Sequence, residues 1–456
     1  MKRILILLYC LLPTILFAQG ILSTLGDMHS VVKGETWESV AASHGISVVA
    51  LKAANPDVKK AKLKKGTLLI IPQGSLNPSN ANSNVETAAG NIGSPYVRVG
   101  MAQNAPALIR TSISDLKVGV LLPLADKRMV EFYRGLLMAA DSVRKSGVNL
   151  DIHAWDCGVT TAQVESLLPN LQGLDVLFGP ASATQIPQVA EACKEQGIRM
   201  VLPFYSGQTL LDYPLVYNVT APSTYLYEAA LAKMMSFYPD MNYVIVRCGN
   251  ADTKGKNFTD AVVHALAQKS ATPRTLDLNG DDFAYESAFN QFRGNVIVLD
   301  NSDAASLNSL LSRLKAFRAK HSQYRFSLLG FADWQDETDR LLDDFFAFDT
   351  YIVSPYYYNV LDDRIRNFES AYWSNFRTSV IQSNPRFAAL GFDLGCYFLT
   401  GLGSLGDTFD QMQGSIRQQP YQSWFRFERG ASGLSFFNNF VQFIHYTPEN
   451  RVELIR

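Results

Sequence analysis

The chain has 456 residues, 47% of them hydrophobic and 18% charged, with a formal net charge of −1. Such a composition suits an ordinary globular protein with apolar material for more than one core. The near-neutral balance excludes a global field that would draw the chain to nucleic acid or to an anionic membrane, so any charged partner must be recognised locally.

In chain order, Lys2 and Arg3 form a charged start and Ile4 to Phe17 an apolar run. Leu16-Phe17-Ala18 ends in the small residue that signal peptidase prefers. We expect an exported protein with residues 1–18 as signal peptide, cleaved after Ala18 to leave Gln19 first. The run is short for a spanning helix of about 20 residues, and Pro13 interrupts it, so no membrane span is expected after cleavage. Cys10 lies behind Tyr9 rather than a small residue and makes a poor lipidation site. The cysteines that remain, Cys157, Cys193, Cys248 and Cys396, contain no CxxC pair, which argues against zinc or a dense disulfide framework. An oxidising compartment would permit a single bridge, for which Cys157 and Cys193 are nearest in sequence, but buried free cysteines are common.

Residues 28–73 carry a compact pattern. Val31-Val32 reads as a short strand, Gly34 as its turn, and Thr36 as the cap of a helix whose apolar positions are Trp37, Val40 and Ala41. Val48, Leu51 and Ala54 form a second apolar stripe, and Leu68 to Ile71 a closing strand stopped by Pro72. Seven lysines stand here against Glu35, Glu38 and Asp57. That basic face is either a solvated surface or a help in holding the carboxylates of an anionic partner.

The motifs Lys33-Gly34-Glu35-Thr36-Trp37, Leu51-Lys52-Ala53-Ala54-Asn55-Pro56 and Leu63 to Pro72 resemble a LysM module, with its small βααβ fold. The resemblance implies a shallow groove for glycans containing N-acetylglucosamine, hence peptidoglycan as partner. Gly34, Glu35, Thr36 and Trp37 would form one wall, and Asn55, Pro56 and Asp57 the other. Glu35 stands where that family often has Asp, and Trp37 where it usually has Leu. Trp37 is therefore either a buried core residue or a platform for the sugar face.

Residues 74–112, from Asn77-Pro78-Ser79-Asn80 to Gly93-Ser94-Pro95, show little apolar periodicity and read as a flexible linker. About 40 such residues would reach roughly 35 Å, so the flanking domains need not touch.

From Leu116, short continuous apolar runs alternate with amphipathic stretches, the pattern of strands covered on both faces. Strands are expected at 117–124, 150–156, 176–180, 199–204, 243–248, 296–300, 326–331 and 351–355. Helices are expected between them, for example over 131–146, 185–196, 227–237, 258–269 and 304–320. Some 340 residues of β–α units are too many for one parallel sheet, so two Rossmann-like lobes over 113–456 are the economical α/β architecture.

Lys117 to Leu124, Tyr133-Arg134-Gly135, Phe178-Gly179-Pro180-Ala181-Ser182, Met200 to Pro203 and Phe387-Ala388-Ala389-Leu390-Gly391-Phe392-Asp393 resemble type 1 periplasmic binding proteins, the branched-chain amino-acid receptor group. Gly414 through Phe427 to Gly430, and Val441-Gln442-Phe443, look like that group's closing hairpins. By position, the resemblance implies a cleft lined by Ser182, Ala183, Thr184, Tyr205 and Ser206, suited to an amino-acid carboxylate. Ser182 and Ser206 could equally be helix caps. Cys248-Gly249-Asn250-Ala251-Asp252 lacks the aromatic residue such receptors usually carry at that turn, which weakens the case for a free amino acid.

Catalytic patterns are weak. Ser142 to Lys145 and Ser312 to Lys315 fit SxxK without the partner motifs of a penicillin-binding fold. Gly249 to Lys256 is one residue too long for a phosphate loop, with Asn257 in place of Ser or Thr. The six histidines are scattered. The sequence therefore predicts a non-catalytic envelope protein without cofactor or metal. Its body would bind an envelope protein partner or a small amino-acid-like ligand. A transport receptor is the alternative, and a wall hydrolase a remote one.

Overall fold

In the computed structural model, the residues described are 28–43, 48–53, 55, 58, 63–65, 67–70, 96–98, 108–110, 112–205, 207, 211–430 and 434–456. The expected signal peptide lies outside them. The chain divides into two compact units, Met1–Ile92 and Gly93–Arg456.

In the first unit, β1 (Met28–Ser30) pairs antiparallel with β2 (Leu68–Ile70), and the helices Trp37–Ser43 and Val48–Ala53 lie between them in sequence. Val31, Trp37, Val40, Ala41, Leu51 and Leu69 close a small core. The turn needs Gly34, whose φ of +100° is left-handed.

The second unit opens with an antiparallel pair, β3 (Tyr96–Arg98) and β4 (Leu108–Arg110), inside the stretch read as linker. The Arg110 guanidinium bonds Asp407 at 3.0 Å and Asp175 at 2.8 Å, so the body starts before residue 113. Both lie in a stretch rich in Asn, Ser, Gly, Ala and Pro, which is why composition alone suggested a tether.

Strands β5 (Asp115–Leu122), β6 (Asn149–Asp156), β7 (Val176–Phe178), β8 (Arg199–Leu202) and β9 (Val216–Asn218) build the first lobe. The chain then crosses to the second lobe, with β10 (Asn242–Arg247), β11 (Arg274–Asp277), β12 (Gly294–Leu299), β13 (Arg325–Gly330) and β14 (Thr350–Ser354). It returns to the first lobe for β15 (Phe427–Arg429) and β16 (Phe436–Asn438), and crosses again for β17 (Gln442–Thr447) and β18 (Arg451–Ile455). The first sheet runs β15-β16-β9-β8-β7-β5-β6 and the second β11-β10-β12-β13-β14-β17-β18. Pairing is parallel from β9 through β6 and from β11 through β14, as continuous apolar strands predict, and antiparallel at β15–β16, β14–β17 and β17–β18.

The first-lobe sheet is covered on one side by the helices Lys127–Arg144 and Phe387–Leu405, and on the other by Ile186–Gln196. The helix containing Phe387 is long and apolar enough to cross a membrane by length and composition, but most of it is buried in this lobe. It and Lys127–Arg144 touch backbone to backbone. A methyl at Gly391 would lie 2.0 Å from the Phe132 carbonyl oxygen, and one at Gly135 1.9 Å from that of Ala388. Glu131 reaches across the same seam and accepts N–H bonds from Ala388 at 3.1 Å and Ile381 at 2.6 Å, capping a helix that has no side-chain cap of its own. All four cysteines among the described residues are free, Cys157 and Cys193 being buried in the outer core of this lobe.

Gly391→Ala must push the two helices apart, because the obstacle is backbone rather than a flexible side chain. We expect a loss of about 3 kcal/mol or more, the upper end of overpacking effects. Urea unfolding of the body measures it, and an unchanged midpoint would show that the seam yields freely.

Candidate functional site

In the first unit, the residues implied in glycan contact are occupied with local structure. Glu35 accepts the Val32 N–H at 2.8 Å and pairs with His29 at 2.8 Å. Thr36 caps the first helix, its hydroxyl accepting from the Ser39 N–H at 3.2 Å while its own N–H donates to the Ser39 hydroxyl at 2.9 Å. Trp37 is 3% exposed, with the Lys52 ammonium 5.7 Å from its ring centre. Asn55 is buried and donates to the Leu51 carbonyl at 2.7 Å. Of the two readings of Trp37, the geometry fits the core. Pro56 and Asp57 lie outside the described residues. Among the described residues of this unit, Gly34, Thr36 and the lysines Lys33, Lys52, Lys64 and Lys65 are exposed.

In the second unit, three chain crossings join the lobes: 219–223, 355–362 and 439–441. Beside them lies a cavity of about 650 Å³. Phe204, Phe387, Leu390 and Phe425 contribute from the first lobe, and Tyr227, Phe331 and Val353 from the second, while Val219, Tyr356 and Asn438 come from the crossings or their edges. Phe204 packs edge-on to Phe132 at 5.1 Å and against Phe387 at 5.6 Å, so the helix seam sets this wall. Tyr227 stacks on Phe258 at 4.2 Å and meets Phe331 edge-on at 6.2 Å. Burial, reinforced by the charges of Asp333 and Asp252, holds the Tyr227 phenol far above its ordinary range, and burial with Asp333 does the same to Tyr356. Both remain neutral hydrogen-bonding groups.

The charged groups at the cavity are the exposed Lys254 and Asp333, which bond to each other. The Asn257 side chain donates to the Ser223 hydroxyl at 2.6 Å. Asp252, flagged in the sequence as part of an unusual turn, caps the helix Thr253–Ala267 through the Gly255 N–H at 2.6 Å and binds Ser302.

Of the hydroxyls expected to line the cleft, those of Ser182, Thr184 and Tyr205 do not border this cavity. Ser182 and Thr184 bond each other at 2.9 Å, and Ser182 also reaches the Val159 carbonyl at 3.3 Å. Ala183 is exposed beside them. Tyr205 turns to the outer core, away from the face to which its neighbour Phe204 belongs. Ser206 lies outside the described residues. Sequence reasoning missed Phe204, Phe331 and Phe387 as cavity residues because they read as core. The available signal was their position just past a strand's C-terminal end or at a helix start, where open α/β sheets form their crevices.

Neither SxxK pattern is assembled. Lys145 pairs with Asp141 at 2.8 Å, the Ser312 hydroxyl donates to the Asn308 carbonyl at 2.9 Å, and Lys315 pairs with Asp344 at 2.7 Å. No group of three or more His, Cys, Asp or Glu side chains able to hold a metal occurs among the described residues.

Comparison with known proteins agrees with both halves. Residues 29–72 match the LysM domain family. The fold is similar to that of a protein assigned as a branched-chain amino acid ABC transporter from Rhodospirillum rubrum, at 15% identity and a TM-score of 0.55, covering 75% of this chain and 100% of that one. A substrate-binding protein of an ABC transporter from Desulfitobacterium hafniense, in complex with Leu, is 14% identical with a TM-score of 0.46, over 75% of this chain and 100% of that one. Among curated proteins, none matches. The chain thus joins a LysM domain to an α/β body with the two-lobed fold of type 1 periplasmic binding proteins.

Asp393 fixes the loop that edges the cavity. Its carboxyl accepts N–H bonds from Tyr421 at 2.8 Å and from Gln422 and Ser423 at 2.9 Å. Complete burial outweighs these bonds and pushes it up to about 7. A raised folded-state value means that the native protein holds this proton more tightly than the unfolded chain. The associated stability is full near pH 4 and is lost as pH rises towards 7. Thermal unfolding of wild type and Asp393→Asn should therefore show the wild type losing ground to the variant between pH 4 and 7, then no further change. A wild-type advantage that grows over that interval would mean that the three N–H bonds outweigh burial.

Proposed function

We propose that the protein is a non-catalytic, cell-envelope component that attaches to peptidoglycan through its LysM domain and presents a two-lobed receptor body. The observation that carries this reading is the LysM match over residues 29–72 on a chain whose body has a periplasmic-binding-protein fold. Export by the N-terminal leader, cleaved after Ala18, places both in the compartment where the glycan is found. The glycan-contacting set is proposed as Gly34, Glu35, Thr36, Trp37, Asn55, Pro56 and Asp57, acting mainly through backbone groups, with Trp37 supporting the wall from the core.

For the body, we favour an apolar group of an envelope protein partner as the occupant of the cavity. Support comes from its aromatic lining, from the neutralisation of Lys254 by Asp333, and from the engagement of Ser182 and Thr184 with each other. A wall tether would also hold a transport receptor away from a membrane permease. An amino-acid receptor is the second reading. Lys254 and Asp333 are the observation in its favour, since a zwitterion could in principle replace their mutual contact with one to each.

The division of labour predicts that residues 19–75 sediment with purified peptidoglycan and residues 93–456 do not. Equal sedimentation of the two fragments would end that assignment.

The two readings of the cavity differ in a thermal-shift screen of free amino acids. A true ligand at 100 times its Kd stabilises a fold by roughly 2.7 kcal/mol, which such a screen detects easily. We expect no shift. A clear stabilisation by any free amino acid, lost in Asp333→Asn, would install the receptor reading instead.

A further inference from the structure

A second cavity, of about 640 Å³, lies on the other face of the crossings. Successive residues of extended chain point to opposite sides, and here Tyr356 and Ser423 line the first cavity while their neighbours Tyr357, Gln422 and Trp424 line the second. One wall belongs to the first lobe and the crossing loops, and the other, through Phe346, Val452 and Leu454, to the second lobe.

Two arginines border it, Arg364 and Arg456. Arg364 is held by Asp362, at whose side chain it donates from its N–H at 2.8 Å and from its guanidinium at 2.9 Å. Arg456 lies over the Trp424 ring, 4.7 Å from its centre, and makes no ion pair with an Asp or Glu side chain among the described residues. Partial burial and the nearby Arg364 charge together make a second cation unfavourable there, pulling Arg456 down from its ordinary range. Gln442, 1% exposed, also borders the cavity, and neither its amide nitrogen nor its amide oxygen has a hydrogen-bond partner among the described residues. Buried polar groups are normally satisfied, so this amide is an incomplete feature of the wall.

We propose that this cavity is a second binding site, for a small organic monocarboxylate whose carboxylate sits between Arg364 and Arg456 and whose apolar body lies against Trp424 and Phe346. Guanidinium groups bind carboxylates through paired N–H donors. The volume is in the range of small-molecule sites. Because the walls come from both lobes, such a ligand would bridge them from the side opposite the first cavity, whatever the latter binds.

The test uses the full-length protein and three probes: 3-phenylpropionate, its neutral amide and inorganic phosphate, followed by calorimetry and thermal shift. We expect saturable binding of the carboxylate and none of the amide. Arg364→Gln and Arg456→Gln should each weaken the carboxylate at least tenfold while changing the probe-free melting temperature little, both residues being exposed. Phe387→Leu, in the first cavity, should leave that binding intact. Absence of carboxylate binding up to 10 mM (roughly −2.7 kcal/mol), equal binding of acid and amide, or binding indifferent to both arginine variants would overturn the assignment. So would phosphate binding more tightly than the carboxylate, since the apolar wall would then contribute nothing.

Discussion

The contact on which the body most depends is the backbone seam between the helices Lys127–Arg144 and Phe387–Leu405. With Gly135 facing the Ala388 carbonyl and Gly391 that of Phe132, no side chain separates the two helices at these positions. That closeness brings Glu131 within bonding distance of the Ala388 N–H and sets Phe132 and Phe387 on either side of Phe204. The first wall of the interlobe cavity is therefore a consequence of two glycines. Interiors are packed at crystal-like density, so displacement along this seam would be felt at the aromatic wall rather than absorbed.

Polar order in the body follows a similar economy. Arg199 is buried and forks onto Asp410, which also receives the Tyr217 hydroxyl. Arg110 joins Asp175 to Asp407 from a segment that composition assigned to the linker. A buried pair of this kind is weak evidence for net stability, but loss of one partner leaves an uncompensated charge. These links hold the segment from Gly406 to Gln413 against the start of the lobe, and the cavity-edging loop 421–423 is fixed separately by Asp393.

Much of the architecture was legible because burial on both sheet faces leaves continuous apolar runs. The eight strands expected from such runs are all present, with ends shifted by a few residues, as are the five helices expected between them. The LysM pattern was legible because a short module must place its turn glycine, helix cap and closing strand at fixed spacing. β9 (Val216-Tyr217-Asn218) and β11 (Arg274-Thr275-Leu276-Asp277) escaped notice because polar residues break their apolar runs, and β3 and β4 because they lie in a stretch rich in Asn, Ser, Gly and Pro. The cavity was the least legible part. Lys254 and Asp333 are 79 residues apart and meet only through the second-lobe fold. Phe204, Phe331 and Phe387 have the composition of core, and only their location at the open end of the sheets makes them a wall. The hydroxyls that motif position selected, Ser182 and Thr184, bond each other, and Ser182 also bonds the Val159 carbonyl.

A cavity bordered by both lobes and by the crossings between them has an energetic consequence that neither lobe could produce alone. An occupant touching only one lobe would bind open and closed arrangements equally and could shift nothing, however tightly it bound. An occupant that touches Phe387 on one side and Phe331 on the other gains its full contact only when the lobes stand at one separation, so its binding energy is spent on selecting that arrangement. The same holds on the reverse face, where Trp424 and Phe346 belong to opposite walls. Two sites that each favour a particular lobe separation are coupled whether or not they share a residue, and the coupling is reciprocal. Its sign depends on geometry. If filling the rear cavity opens the front, the two occupants exclude one another, and if both favour one separation, each strengthens the other.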